Sequence, residues 1–150
     1  MPTENLRQRL RTLFDDQRLG VLATVGDRYP HASLVAFAAT PDLSVIVFAT
    51  TRATRKFANL ALAPEGALLV DSRANAAADF HAAMAVTAYG PVSETPPNPE
   101  REGLLELYLR KHPHLRDFVS APSCALMRLV VRKYSVVDRF QHVVELEIKA

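Results

Sequence analysis

Between residues 19 and 49 the chain carries three apolar, β-type runs joined by connections of only a few residues. Leu19-Gly20-Val21-Leu22-Ala23-Thr24-Val25 reads as a strand, Gly26-Asp27-Arg28 as a turn, and residues 31–39 as the returning strand. Thr40-Pro41-Asp42 then turns the chain into the run 43–49, which is β-branched and apolar as a buried strand should be. Parallel neighbours need a long crossover, so strands joined this tightly form an antiparallel meander. The pattern continues with a strand at 66–70 and a polar, Ala-rich loop at 73–79. A long β-compatible stretch follows at 80–93, where Gly90-Pro91 predicts a bend or bulge, and further strands are expected at 124–131, 134–140 and 143–148. So many sequential strands do not suit a doubly wound sheet. The expected class is mainly β (α+β): six or seven antiparallel strands in a closed or partly closed barrel, which removes exposed edges.

Two or three helices flank these strands. Thr3 is a candidate cap for an opening helix whose Leu6, Leu10, Leu13 and Phe14 form one stripe. Asn98 as N-cap and Pro99 at the first helical position launch a helix carrying Leu104, Leu105, Tyr108 and Leu109, ending at His112-Pro113. A further helical turn is expected at 114–119. No internal repeat or long linker interrupts residues 1–150, which read as a single domain.

The segment Thr50-Thr51-Arg52-Ala53-Thr54-Arg55-Lys56 carries the strongest functional signal. Phe57, Leu60 and Ala61 fall at helical spacing after it, Pro64 stops the helix, and Thr54 is a good N-cap. Arg55 and Lys56 then occupy a first helical turn, where the macrodipole and unpaired N–H groups favour carboxylates. Cations and hydroxyls at a helix start suit a bound anion, with phosphate the natural candidate. The bland alternative is a solvated basic turn in a chain with 18 Lys and Arg residues.

Bulk properties exclude several classes. A net charge of +2 with a single tight basic cluster argues against nucleic acid or an anionic membrane as main partner. No apolar run reaches transmembrane length, and the N-terminus does not read as a signal peptide. Cys124 is the only cysteine, which points to a reducing, cytoplasmic setting, and its apolar neighbours predict a buried, inert thiol. No metal spacing, nucleophile elbow, P-loop or Rossmann fingerprint is present. His112-Pro113-His114 invites a metal or haem reading, but such a pair just past a helix is expected in solvent or capping carbonyls.

In order, an N-terminal helix, a hairpin whose second strand contains Ser33-Leu34-Val35, an apolar strand ending in Thr50-Thr51, and a Thr54-Arg55-Lys56 helix start resemble the pyridoxamine 5′-phosphate oxidase-like, FMN-binding split-barrel superfamily. The resemblance covers roughly residues 6–92. It implies a split barrel, a homodimer with flavin at the subunit interface, and phosphate contacts from Arg55 and Lys56. It further implies that Thr50, Thr51 and Thr54 supply hydroxyls, and that Ala32, Ser33 and Leu34 of the second strand meet the flavin. The Arg-Gln pair of the true oxidases is missing from Met84-Ala85-Val86-Thr87-Ala88-Tyr89-Gly90, and residues 143–150 lack their basic C-terminal motif. Vitamin B6 oxidation is therefore not expected. The segment Tyr108-Leu109-Arg110-Lys111-His112-Pro113 resembles the haem-utilisation and general flavin-reductase-like branches instead.

The resulting expectation is an FMN-binding protein using NAD(P)H to reduce a small-molecule acceptor, since flavin chemistry needs no protein catalytic constellation. The alternatives are a non-catalytic flavin- or haem-binding carrier or sensor, and a dimeric barrel whose basic turn binds another phosphate.

Overall fold

The structure, a computed structural model, describes residues 2–97, 99–139 and 141–149. It begins with α1 (Pro2–Asp16), whose Leu10, Leu13 and Phe14 are buried. Thr3 lies within the helix rather than capping it. The strands β1 (Leu19–Thr24), β2 (His31–Ala39) and β3 (Val45–Thr51) form the antiparallel meander. Helix α2 (Arg55–Leu62), β4 (Glu65–Asp71), α3 (Asp79–Ala82) and β5 (Ala85–Glu94) follow. Helix α4 (Glu100–Lys111), a 3-10 turn (Pro113–Leu115) and α5 (Arg116–Ser120) lead to β6 (Cys124–Val130), β7 (Lys133–Asp138) and β8 (His142–Glu147).

Six strands close a barrel in the order β4-β1-β2-β3-β6-β5, with β5 pairing back onto β4; β7 and β8 extend the sheet from β5. Strand β5 manages two neighbours on one edge by bending. Ala85–Tyr89 pair with β7, and Val92–Glu94 pair with β6. At the changeover, a Cβ on Gly90 would lie 1.9 Å from the Val130 carbonyl, so only glycine allows that approach. The expected bend at Gly90-Pro91 is therefore a change of strand partner.

The barrel interior is one apolar core, including Leu22, Val35, Phe37, Phe48, Leu68, Val86 and Tyr134. Phe14 of α1 packs edge-on against Phe37 and tilted against Tyr134, closing the end where β1 begins. Leu60 and Phe57 of α2 join the same core at the opposite end. A second cluster lies outside the barrel, where Leu104, Tyr108, Leu109 and Val119 cover Ala38, Val47, Ala49 and Leu126. Among the described residues no such cover lies on the outer face of β1, β4 and the first half of β2, and Leu19, Leu34 and Leu69 are exposed there.

Several boundaries move for physical reasons. Leu43 belongs to the turn, at φ 67°, and β3 starts two residues later. The Asp42 carboxylate builds that turn by accepting from the Thr40 and Ser44 hydroxyls and the Ser44 N–H. These bonds hold its pKa below the usual carboxylate value. The expected strand start near residue 80 is instead the short helix α3, because the Asp79 carboxylate collects the N–H groups of Ala74 and Ala76. Pro99 occupies the N-cap of α4 rather than its first turn, while Asn98 lies outside the described residues, as does Phe140. Cys124 is buried, as expected.

Candidate functional site

Strands β2 and β3 pair only from Phe37↔Phe48 to Ala39↔Ile46. Beyond Phe48 they part, so residues 31–36 pair with β1 alone and residues 49–51 with β6 alone. Helix α2 starts at this opening. Its Asn59 amide donates to the Thr24 hydroxyl at 3.0 Å, and Thr24 is the ladder partner of His31. That contact sets α2 beside the beginning of β2. The two sequence-predicted groups, residues 32–34 and 50–56, thus share one end of the barrel.

At the helix start Thr54 is extended (φ −83°, ψ 158°), and its hydroxyl accepts from the Phe57 N–H at 3.3 Å, as an N-cap should. The Thr50 and Thr54 hydroxyls lie 2.7 Å apart, each 3.1 Å from the Thr51 carbonyl. Thr50 is buried, so its hydroxyl braces the turn, while Thr51 and Thr54 lie nearer the surface. Arg55 is exposed and Lys56 half-buried, and among the described residues neither side chain has a hydrogen-bond or ion-pair partner. No acidic residue stands in the first turn. The wrong-signed charge seen in the sequence is therefore uncompensated in the fold.

Arg52 behaves differently. Its guanidinium forms a bidentate pair with Glu94 at 2.7 and 2.8 Å and lies 5.7 Å from the centre of the Phe57 ring. The pair holds the Glu94 carboxyl below its ordinary pKa. Arg52 is thus neither a free solvated side chain nor part of the unpaired basic group. Nothing in the sequence marked this, because the partners are 42 residues apart.

The β2 residues divide between faces. Ser33 stands opposite buried Leu22, and its hydroxyl is buried without a hydrogen-bond partner. Ala32 and Leu34 point outward and are exposed. Across the ladders Leu34, Val21 and Leu69 line up, as do Ala32, Ala23, Ala67 and Tyr89. A cleft of about 480 Å³ between Val25, Tyr29, Ala67 and Tyr89 continues this apolar surface.

His112 departs from expectation. It is buried, not solvated, and its Nε2–H donates to the Phe37 carbonyl at 2.8 Å. Among the described residues no group of three or more His, Cys, Asp or Glu side chains is placed to hold a metal ion. No described helix is long and apolar enough to cross a membrane.

The sequence profile of the family described as Pyridoxamine 5'-phosphate oxidase matches residues 6–138. No curated protein matches the sequence. Solved structures share the fold at low identity. A haem binding protein from Mycobacterium smegmatis superposes with a TM-score of 0.83 at 17% identity, over 94% of this chain and 57% of that one. This chain thus spans little more than half of that protein's length. General Stress Protein 26 from Bacillus anthracis superposes with a TM-score of 0.71 at 18% identity, over 96% of this chain and 99% of the other. The haem storage protein of Vibrio cholerae gives a TM-score of 0.70 at 16% identity, over 83% and 88%.

Proposed function

The chain belongs to the pyridoxamine 5′-phosphate oxidase family, and we propose that it binds FMN with the cofactor phosphate at the N-terminus of α2. The observation that carries this reading is the unpaired Arg55 and Lys56 on a Thr54-capped helix start that has no acidic residue. Arg55 is the bidentate phosphate ligand and Lys56 the point charge. Thr51 and Thr54 offer hydroxyls, and Thr50 keeps the turn in shape. The partnerless Ser33 hydroxyl at the same barrel end supplies a polar group for the flavin, and Ala32 and Leu34 supply backbone and apolar contact from the outer face.

Bound there, the flavin supplies the redox chemistry, and the chain binds and orients it. The activity that follows is reduction of a small-molecule acceptor at the expense of NAD(P)H. Pyridoxamine phosphate oxidation is not proposed, because the segment 84–90 carries neither Arg nor Gln. The second reading is haem, favoured by the Mycobacterium smegmatis and Vibrio cholerae proteins that share the fold. A homodimer completes the site from the exposed apolar face beside β2.

The test compares FMN with riboflavin by absorbance and flavin fluorescence. Wild type should retain FMN and prefer it over riboflavin, and Arg55→Ala/Lys56→Ala should lose about 100-fold of that preference, the worth of two charge-assisted contacts. A double variant that still prefers FMN to the wild-type extent removes the assignment. A Soret band in place of flavin bands moves the reading to haem, and bleaching of bound flavin by NADH or NADPH identifies an enzyme.

A further inference from the structure

A second cleft lies between α1 and α4, over the end of β2, away from the basic turn. It encloses about 320 Å³. Its floor is apolar: Phe14, Ala38, Leu43 and Leu107. Its rim carries Arg11, Arg110 and Lys111 against one carboxylate, Asp15. A concave apolar site with a few convergent polar groups is the usual form of a small-molecule site.

Lys111 is the unusual member. Its Nζ donates to the Phe14 carbonyl at 2.6 Å and lies 3.9 Å from the centre of the Phe37 ring. Burial pulls the ammonium down to about 8, with Asp15 opposing the shift. Yet Lys111 forms no ion pair with Asp15 or any other described carboxylate, so a partly desolvated charge stands at the cleft wall without a counter-ion. Arg110 is exposed and holds only Glu106, at 3.4 Å, whereas Arg11 is occupied by the Pro41 carbonyl, Glu4 and Gln8. One half-buried ammonium, one reachable guanidinium and an apolar floor match a single-charged head on an apolar body. A phosphate dianion would need more donors than this rim presents.

We propose that the α1/α4 cleft binds a small apolar monocarboxylate, its carboxylate against Lys111 and Arg110 and its body on Phe14, Ala38, Leu43 and Leu107. The assignment is independent of the flavin reading, because neither Arg55 nor Lys56 lines this cleft.

The experiment is calorimetric titration of the full chain with 3-phenylpropionate and with its uncharged amide. The acid should bind at least about tenfold more tightly than the amide, the difference expected of one desolvated, charge-assisted contact. Lys111→Met should remove that difference. Arg110→Gln, on an exposed side chain whose one partner is Glu106, should weaken the acid several-fold in a chain that still folds. Arg55→Ala/Lys56→Ala should bind the acid as wild type does, which separates failure here from failure of the flavin site. Equal affinity for acid and amide, binding of neither, unchanged acid binding in Arg110→Gln, or displacement of the acid by FMN overturns the proposal.

Discussion

At the scale of single residues, the fold separates cations that the sequence presents as one group. Arg52, Arg55 and Lys56 lie within five positions, but Glu94 takes Arg52 and leaves the other two unpaired. The Thr54 cap was legible because capping is local, whereas the Glu94 partner depends on β5 arriving beside the turn. His112 shows the same limit, since its burial depends on α4 lying across β2. Desolvation is the main force lowering the His112 pKa, helped by Lys111, His114 and Arg18 and opposed by the bond to the Phe37 carbonyl. The folded value therefore lies below the unfolded value of about 6.5. As pH falls below about 6.5, His112 in the unfolded chain takes up a proton that the folded chain resists, so its contribution to stability is lost on the acid side and is level above it. Thermal melts from pH 8 to pH 5 should show this loss in wild type and a flatter profile in His112→Gln, whose amide keeps a donor without titrating. Parallel profiles for the two proteins would leave His112 no part in the acid response.

Among the elements, strands bounded by turn residues were the most legible: β2 falls on the expected residues 31–39, and Gly90-Pro91 marks the bend of β5. What period and propensity do not reveal is which distant strand pins a turn. Leu43 is buried at positive φ, a conformation that is uncommon for a large side chain. Its carbonyl accepts from the Tyr134 hydroxyl at 2.7 Å, so β7 anchors the β2–β3 turn from 91 residues away. Burial, the main cause, raises the Tyr134 pKa, which keeps the phenol a neutral donor. Tyr134→Phe keeps the ring packing against Phe14 and loses only this bond, so urea unfolding should report about 1 to 2 kcal/mol of destabilisation. A loss within error would mean that the Asp42 cluster holds the turn unaided.

For the whole molecule, the unexplained quantity is the bare outer face. Helices α4 and α5 cover the sheet over β3 and β6, but among the described residues no helix covers Leu34, Val21 and Leu69 or the adjoining row that ends at Tyr89, over whose ring Lys133 lies. In the sequence these residues read as ordinary strand alternation, because periodicity separates two faces without saying which meets solvent. Leu34, 66% exposed at the middle of the patch, is itself one of the β2 residues assigned to the flavin. Contiguous apolar surface of this kind marks an interaction site, and a second copy laid on it would bury the patch and close the open side of the cofactor site. Leu34→Glu places like charges against each other across such an interface while leaving the barrel core untouched. Sedimentation should therefore show wild type as a dimer and Leu34→Glu as a monomer at the same concentration. The variant should lose FMN as well, through both the missing partner and the missing Leu34 contact, although Arg55 and Lys56 are intact. The phosphate variant Arg55→Ala/Lys56→Ala should instead remain a dimer while losing its preference for FMN. A Leu34→Glu monomer that binds FMN as wild type does would confine the site to one subunit, and a Leu34→Glu dimer would place the interface elsewhere.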